Sequence, residues 1–516
     1  MRITIFGNHR RLVLVAALGT LLCLTASMPA RAGMSDAVKA QTLPNGLRVL
    51  VLENHKAPLA TFNVFYRVGS RNEQFGKTGI SHLCEHLMFK GTKKLGPEEF
   101  SQIIQQNGGE DNAFTESDFT DYFETINKDH LDVPITLEAD RMGNFEPKEF
   151  DKEKHVVLEE RRMRTEDNPE DALDEMVRAA AYVAHPYHWP VIGWFHDVDG
   201  LTLADAMAYH KIYYSPQNAL IVAVGDFDSD QVLKLISEAF AGIKNGPKPP
   251  PLTDLEPPQN ALIVAVGDFN GDQVMKQISE AFAGIKNGPK APPVTEVEPP
   301  QTGTRRVELQ HAANLPAFEE AYHVPNLTSP DAFALEIASE ILSDGQSSRL
   351  YKKLVVEKQM VVDIGAGYDM TSFDPGLFVV SAQMRPGVKA SDTQAEVEKE
   401  LAAMRDNPVG AEELQKAKNL EAAQFVFGQD SVMREAEMLG VYEMLGDYHL
   451  VDKYLDGIDK VTAADVQRAA KTYLVAGNMT EGVLVPTGVL NHGGDGLSSG
   501  ELHHAPALGE SAEVVR

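Results

Sequence analysis

Gly79-Ile80-Ser81-His82-Leu83-Cys84-Glu85-His86-Leu87-Met88-Phe89 is an apolar, helix-compatible run carrying His-x-x-Glu-His. An α-helix turns about 100° per residue. His82 and His86 therefore stack on one face, and Glu85 points to the same side. Two imidazoles so placed can hold a zinc ion, and a carboxylate beside them can take a proton from a water that the metal polarises. The order is the reverse of His-Glu-x-x-His and matches the inverzincin pattern. With sixteen histidines in 516 residues, a chance match is rare. The bland alternative is a pair of ordinary helix histidines. The motif is also incomplete. A catalytic zinc takes three protein ligands and a water, so one ligand must come from elsewhere.

The chain is too long for one hydrophobic core, and two or more domains are expected. Its 43% hydrophobic and 24% charged content is that of a folded globular protein. Residues 1–32 read as a secretory signal: His9-Arg10-Arg11 is the positive region, Leu12 to Ala26 the apolar core, and Ala30-Arg31-Ala32 a small-x-small cleavage site. Removing those residues, with four arginines and no acid, takes the formal charge from −28 to −32. So acidic a surface argues against a nucleic-acid partner. No later stretch is long and apolar enough to span a bilayer, so the mature chain is expected to be exported, periplasmic or secreted. After cleavage only Cys84 remains, which excludes an internal disulfide. Two residues from His82, Cys84 points away from the histidine face and reads as a buried small hydrophobe.

Before the motif, Gln41 to Glu53 reads as strand, Asn45-Gly46 turn and strand, and Ala60 to Val68 as a further strand. After it, Pro97 to Asn107 reads as a helix. A strand ending near Asn112-Ala113-Phe114-Thr115 could be a sheet edge, where an extended peptide binds through main-chain hydrogen bonds. An ordinary hairpin is the alternative. Asp129 to Phe145 reads as an amphipathic helix, Glu149 to Asp167 as a long charged one, and Leu201 to Tyr214 as another. Glu153 and Glu160 are seven apart and share a face of the charged helix. That suits a metal-site carboxylate with a supporting partner, and suits a solvated helix equally.

HLCEHLMFKGT, NAFTESDFTDYFE and KHVVLEERRMRTED together resemble the pitrilysin-type, M16 metallopeptidases, which include insulin-degrading enzymes and mitochondrial processing peptidases. The resemblance is to bacterial M16B-like members. It implies that His82 and His86 bind one Zn²⁺ with a third ligand at Glu160, that Glu85 is the general base, and that Glu153 is a further site carboxylate. Glu159 is the rival for the third ligand, but lies about 100° round the helix from Glu160. The stretch His185 to Gly193 is similar to the family too and is expected to be structural; the alternative is that His185 or His188 adds a ligand.

Pro216 to Pro257 is nearly repeated as Pro258 to Pro299, a period of 42. Each copy holds one strand (Ala219 to Val224; Ala261 to Val266) and one amphipathic helix (Gln231 to Ala241; Gln273 to Ala283). The family pattern needs one such unit. Both copies present the same faces, so one is expected to complete a sheet and the other to be displaced onto the surface or an edge.

From Thr304 the order of elements restarts without the motif. The expected fold is α+β: two homologous α/β-sandwich domains, each a mixed, largely antiparallel sheet with helices packed on it, forming a clamshell. The divisions are 1–32 signal, 33–299 zinc-bearing domain including the duplication, 300–489 inactive domain, and 490–516 disordered tail, where His503-His504 reads as bland. One departure matters. Active single-chain members carry an Arg and a Tyr, seven apart, in the second half; those slots here fall on Val356 and Asp363, and Arg349 and Tyr351 stand nearby at the wrong spacing. The resemblance therefore implies a zinc endopeptidase acting on unfolded peptides as the catalytic subunit of a heterodimer, whose homologous partner supplies the Arg/Tyr pair, or else a homodimer. The competing reading is a non-catalytic binding or assembly subunit.

Overall fold

The computed structural model describes residues 33–43, 45–246, 262–266 and 296–488. The expected signal (1–32), the expected tail (490–516) and the helix expected for the second repeat (273–283) fall outside the described residues.

The first half is built on one sheet. β1 (Lys39–Thr42) and β2 (Arg48–Glu53) form the expected hairpin, with Gly46 at φ 90° in its turn. β3 (Leu59–Tyr66), β4 (Glu110–Thr115), β5 (Thr120–Asn127), β6 (Ala219–Gly225) and β7 (Leu262–Val266) complete it in the order β1-β2-β7-β6-β3-β5-β4. Both faces are covered, which is why β6 reads as an unbroken apolar run rather than an alternating one. Val49, Val51, Phe62 and Val64 face a layer of helices from their own half. Leu50, Leu52 and Phe65 face the other half of the chain.

The helices of that layer are α1 (Ile80–Met88), α2 (Glu99–Gln106), α3 (Asp132–Asn144), α4 (Phe150–Arg161), α5 (Pro169–Ala181), α6 (Phe195–Gly200), α7 (Leu203–Tyr213) and α8 (Ser229–Phe240), of which α5 leaves it. The charged helix expected to reach Asp167 runs to Arg161 and continues as a π-helical turn, Arg162–Glu166.

The second half repeats the plan with a five-stranded sheet, order β10-β11-β9-β12-β8. Its strands are β8 (Arg305–Ala312), β9 (Ala317–Val324), β10 (Val361–Tyr368), β11 (Gly376–Met384) and β12 (Met479–Gly488). Its helices are α9 (Ala332–Ser343), α10 (Ala390–Asp406), α11 (Ala411–Gly428), α12 (Val432–Met444), α13 (Leu450–Lys460) and α14 (Ala463–Tyr473). The two mixed, mainly antiparallel sheets with packed helices are the α+β clamshell that the sequence implies.

The halves exchange helices. α5 leaves the first half to pack Leu173 and Val177 on the second sheet beside Ala317, Ala321 and Leu484. α12 returns the exchange, packing Met438, Leu439 and Tyr442 over Leu50, Phe65 and Leu220. Ion pairing follows the apolar contact: Arg48 Nε lies 3.0 Å from Glu443 Oε1, and Arg67 donates to the Met444 carbonyl at 2.7 Å. Neither α5 nor β12 is expected from the sequence pattern. The start of α5 is signalled by Asn168, whose side chain accepts from Glu170 N, and by Pro169 in the first turn. β12 carries Gly482 and Pro486, residues that weaken a strand pattern.

The duplicated unit departs from expectation at its second strand, which is neither on an edge nor on the surface. β7 pairs in parallel with β2 over Val49–Leu52, while β6 pairs with the ends of the same strand at Arg48↔Leu220 and Glu53↔Gly225. The β6 register places Ile221 opposite Val49; β7 places Ile263 there. The difference is 42 residues, the repeat period. Both copies thus offer the same residues to the same stretch of β2.

Candidate metal centre

α1 begins at Gly79, where φ is +80° and a Cβ would lie 2.5 Å from the Ile192 carbonyl oxygen. Only glycine fits there. Glu73 closes the helix start: its carboxylate accepts from Gly79 N and Ser81 N, both at 2.8 Å. Burial raises the Glu73 carboxyl to about 8 even against those two bonds. Below α1, Leu83, Cys84 and Leu87 are fully buried. Cys84 is therefore the core thiol expected, and burial pushes its pKa up.

The opposite face carries the histidines, with ring centroids 4.7 Å apart. One ligand atom each from His82, Glu85 and His86 lies within 4.8 Å of the others. α4 brings Glu160 across to them. Its Oε2 is 3.7 Å from His82 Nε2 and 3.3 Å from His86 Nε2, while Arg164 holds Oε1 at 3.2 Å. Donors bound tetrahedrally at about 2.0–2.1 Å stand roughly 3.3–3.4 Å apart. The three groups fit a zinc ion on spacing and on donor type. Glu159 faces solvent and pairs with Arg162, as its helical offset implies.

Glu153, two turns before Glu160, accepts from His86 Nδ1 at 3.0 Å, and Lys90 Nζ lies 3.3 Å from its other oxygen. That bond keeps the proton on Nδ1 and leaves Nε2 free to ligate. His82 Nδ1 finds no hydrogen-bond partner among the described residues. Without metal the two imidazoles separate sharply. Burial, then the neighbouring His86, depresses His82 to about 3. Burial opposes charge on His86 as well, but its bonds to Glu153 and Glu160 prevail and lift it to about 9. Glu160 falls to about 2, because the histidine contacts outweigh its burial. Burial raises Glu85, whose Oε2 accepts from the Thr115 hydroxyl at 2.5 Å.

Asn112, Ala113, Phe114 and Thr115 lie on β4, the terminal strand of the sheet, so the expected edge is present. His185 and His188 stand apart from the cluster, on Asp374 and the Tyr182 carbonyl, in line with a structural role. Glu73, Thr115 as a partner of Glu85, Lys90 and Arg164 were not legible as supports of the site. Arg164 alone left a signal, four residues after Glu160 on the helix.

Residues 48–193 match the family model "Insulinase (Peptidase family M16)", and residues 200–260 and 255–421 match "Peptidase M16 inactive domain". The chain is 32% identical to the zinc protease PqqE of Helicobacter pylori over 458 residues, 88% of this chain and 94% of that one. This chain belongs to peptidase family M16. The M16 chain is also 27% identical to an uncharacterised zinc protease of Mycobacterium leprae, over 86% of its own length and 91% of the relative. Its fold superposes on the crystal structure of a protease from Helicobacter pylori with a TM-score of 0.76 at 31% identity, covering 87% of this chain and 99% of that one. A peptidase M16 inactive domain from Pseudomonas fluorescens shares the fold alone, with a TM-score of 0.68 at 18% identity. The inverzincin motif, the clustered donors and the family membership make this M16 chain a zinc-dependent endopeptidase with one zinc site.

Proposed function

We propose that His82, His86 and Glu160 are the zinc ligands, that Glu85 is the general base, and that Glu153 orients His86. The observation that carries this is the convergence of Glu160 on both Nε2 atoms, with Glu85 beside them on the motif helix. Bound zinc supplies Lewis acidity, which acidifies a water and polarises a carbonyl oxygen. Glu85 takes the proton of the attacking water and passes it to the leaving amine nitrogen. Burial suits it to both tasks, since a raised carboxyl pKa lies nearer the working pH. An unfolded peptide adds as a strand along Asn112–Thr115, where the edge of β4 offers main-chain groups.

A second assignment has Glu85 itself as the third ligand, since its carboxylate also clusters with the histidines. Two variants separate the assignments. Glu85→Gln is expected to keep its zinc and lose at least ~100-fold in hydrolysis of a quenched peptide. Glu160→Gln is expected to lose the zinc. Zinc loss in Glu85→Gln with retention in Glu160→Gln would reverse the roles.

Within the family we place the chain among bacterial M16B-like members similar to mitochondrial processing peptidases, as the zinc subunit of a heterodimer. The Arg/Tyr slots are occupied by Val356, which is exposed, and Asp363. Arg349 is committed to Glu413 by two bonds of 2.6 and 2.7 Å. A homologous subunit carrying the pair would complete the substrate site; a homodimer is the simpler assembly. Full peptidase activity of the purified chain alone would remove the need for a partner. Zinc binding without any peptide turnover, alone or with the neighbour-encoded homologue, would favour a binding or assembly subunit. We further place the mature protein outside the cytoplasm, in the periplasm or secreted, on the signal-like residues 1–32. Among the described residues no helix is long and apolar enough to cross a membrane.

A further inference from the structure

We propose that Thr115 is a positioning residue for Glu85, and that the β4–β5 hairpin bearing it is held in place by the second half of the chain through Asp118. The inference rests on the general-base reading of Glu85. Glu85 is 5% exposed, so its orientation is set by protein contacts rather than by water. The Thr115 hydroxyl donates to Glu85 Oε2 at 2.5 Å. Behind it, the Thr120 hydroxyl lies 3.5 Å from Thr115 Oγ1 and donates to the Val68 carbonyl at 2.8 Å. Thr115 is the last residue of the edge strand and pairs with Thr120 across the hairpin. A peptide aligned on β4 and the carboxylate that activates its attacker are therefore registered by one residue.

The turn that follows is pinned from two sides. Ser70 N donates to the Glu116 carbonyl at 3.2 Å and Arg71 N to the Ser117 carbonyl at 3.0 Å. Asp118, at the turn, accepts from Arg71 Nη1 at 2.9 Å, from the Tyr187 hydroxyl at 2.7 Å and from Phe373 N at 2.9 Å. Phe373 and its neighbour Asp374 belong to the β10–β11 loop of the second half, and Asp374 is bonded to Arg71 and, at 3.1 Å, to His185. A continuous set of buried and half-buried contacts thus runs from the inert half, through the hairpin, to the Glu85 carboxylate. Movement between the halves reaches Glu85 without touching a zinc ligand.

The test uses the full mature chain with zinc. Thr115→Val keeps the shape and removes the hydroxyl. kcat is expected to fall about 10- to 100-fold with KM within about twofold, the loss of one hydrogen bond to a charged group. Zinc stoichiometry and zinc affinity stay unchanged, because Thr115 touches no ligand. Thr115→Ser restores kcat to within about threefold of the parent. Asp374→Asn lowers kcat in the parent but adds nothing in the Thr115→Val background, since both act through one chain of contacts. Unchanged kcat in Thr115→Val, failure of serine to rescue, loss of zinc, or additive losses in the double variant would each overturn the proposal. If Glu85→Gln is itself fully active, the general-base reading fails first; if Glu85→Gln is inactive and Thr115→Val normal, only the present inference fails.

Discussion

The helix that follows β3 and the helix that follows β9 occupy corresponding places in the two halves, yet only one builds a metal centre. α1 presents His82 and His86 four residues apart, facing Glu160 and Glu153. α9 presents Glu336 and Glu340 four residues apart, facing Glu421. In the first half, His86 pairs with both Glu153 and Glu160 and stabilises the charge on Glu160. In the second, burial and mutual repulsion raise the carboxyls, Glu340 to about 9, and the Tyr454 hydroxyl donates to Glu421. The same scaffold position is a zinc site or a packing layer according to whether nitrogen donors are present. The inert half contributes elsewhere, through the exchanged helices and the loop on Asp118.

The sharpest way to break this comparison is to neutralise one carboxylate in each half. Glu160→Gln should abolish both zinc binding and turnover, while Glu340→Gln leaves both intact; metal analysis and peptide cleavage on the two variants decide it. A smaller effect is expected where the halves interlock. A Cβ on Gly440 of α12 would lie 2.3 Å from the Phe65 ring, and one on Gly482 of β12 would lie 2.4 Å from Val177 of α5. Gly440→Ala should cost about 1–3 kcal/mol of stability by overpacking, read as a lowered denaturation midpoint, with zinc retained.

The first half alone has two claimants for one strand position. In a Cys84→Ser background, Val51→Cys is expected to cross-link in part with Ala223→Cys and in part with Ala265→Cys. Complete cross-linking of one pair and none of the other would show a single owner of the slot. The repeats differ little where it matters: Leu233, buried in the first copy, is Met275 in the second, a volume-conserving change, and half-exposed Leu235 is Gln277.

A pH-dependent effect concerns the cap of the motif helix. Glu73 has its folded pKa raised from 4.5 to about 8 by burial. Its contribution is fully present below the unfolded value and is lost as pH rises through about 8. Glu73→Gln should therefore gain melting temperature relative to the parent between pH 5 and pH 9. A difference that is flat across that range would show the carboxyl to be unshifted.

Much of this was legible along the chain because it depends on local spacing. Helical periodicity alone put His82, Glu85 and His86 on one face, sent Cys84 into the core, and set Glu160 apart from Glu159. The restart of the pattern after Thr304 was legible for the same reason, whereas β4 could be read as a sheet edge or as an ordinary hairpin, and in the structure it is both. The third ligand needed family likeness as well, since 74 residues separate Glu160 from His86 and no local rule spans them. What the tertiary structure decided is everything made by contact between distant segments. That α5 and α12 change sides, that Thr115 bonds Glu85, that Glu73 caps α1 and that Asp118 ties the hairpin to the second half depend on which surfaces meet. A side chain's type and period state what it can bury or bond, but its partner is selected only when the chain closes into one packed body.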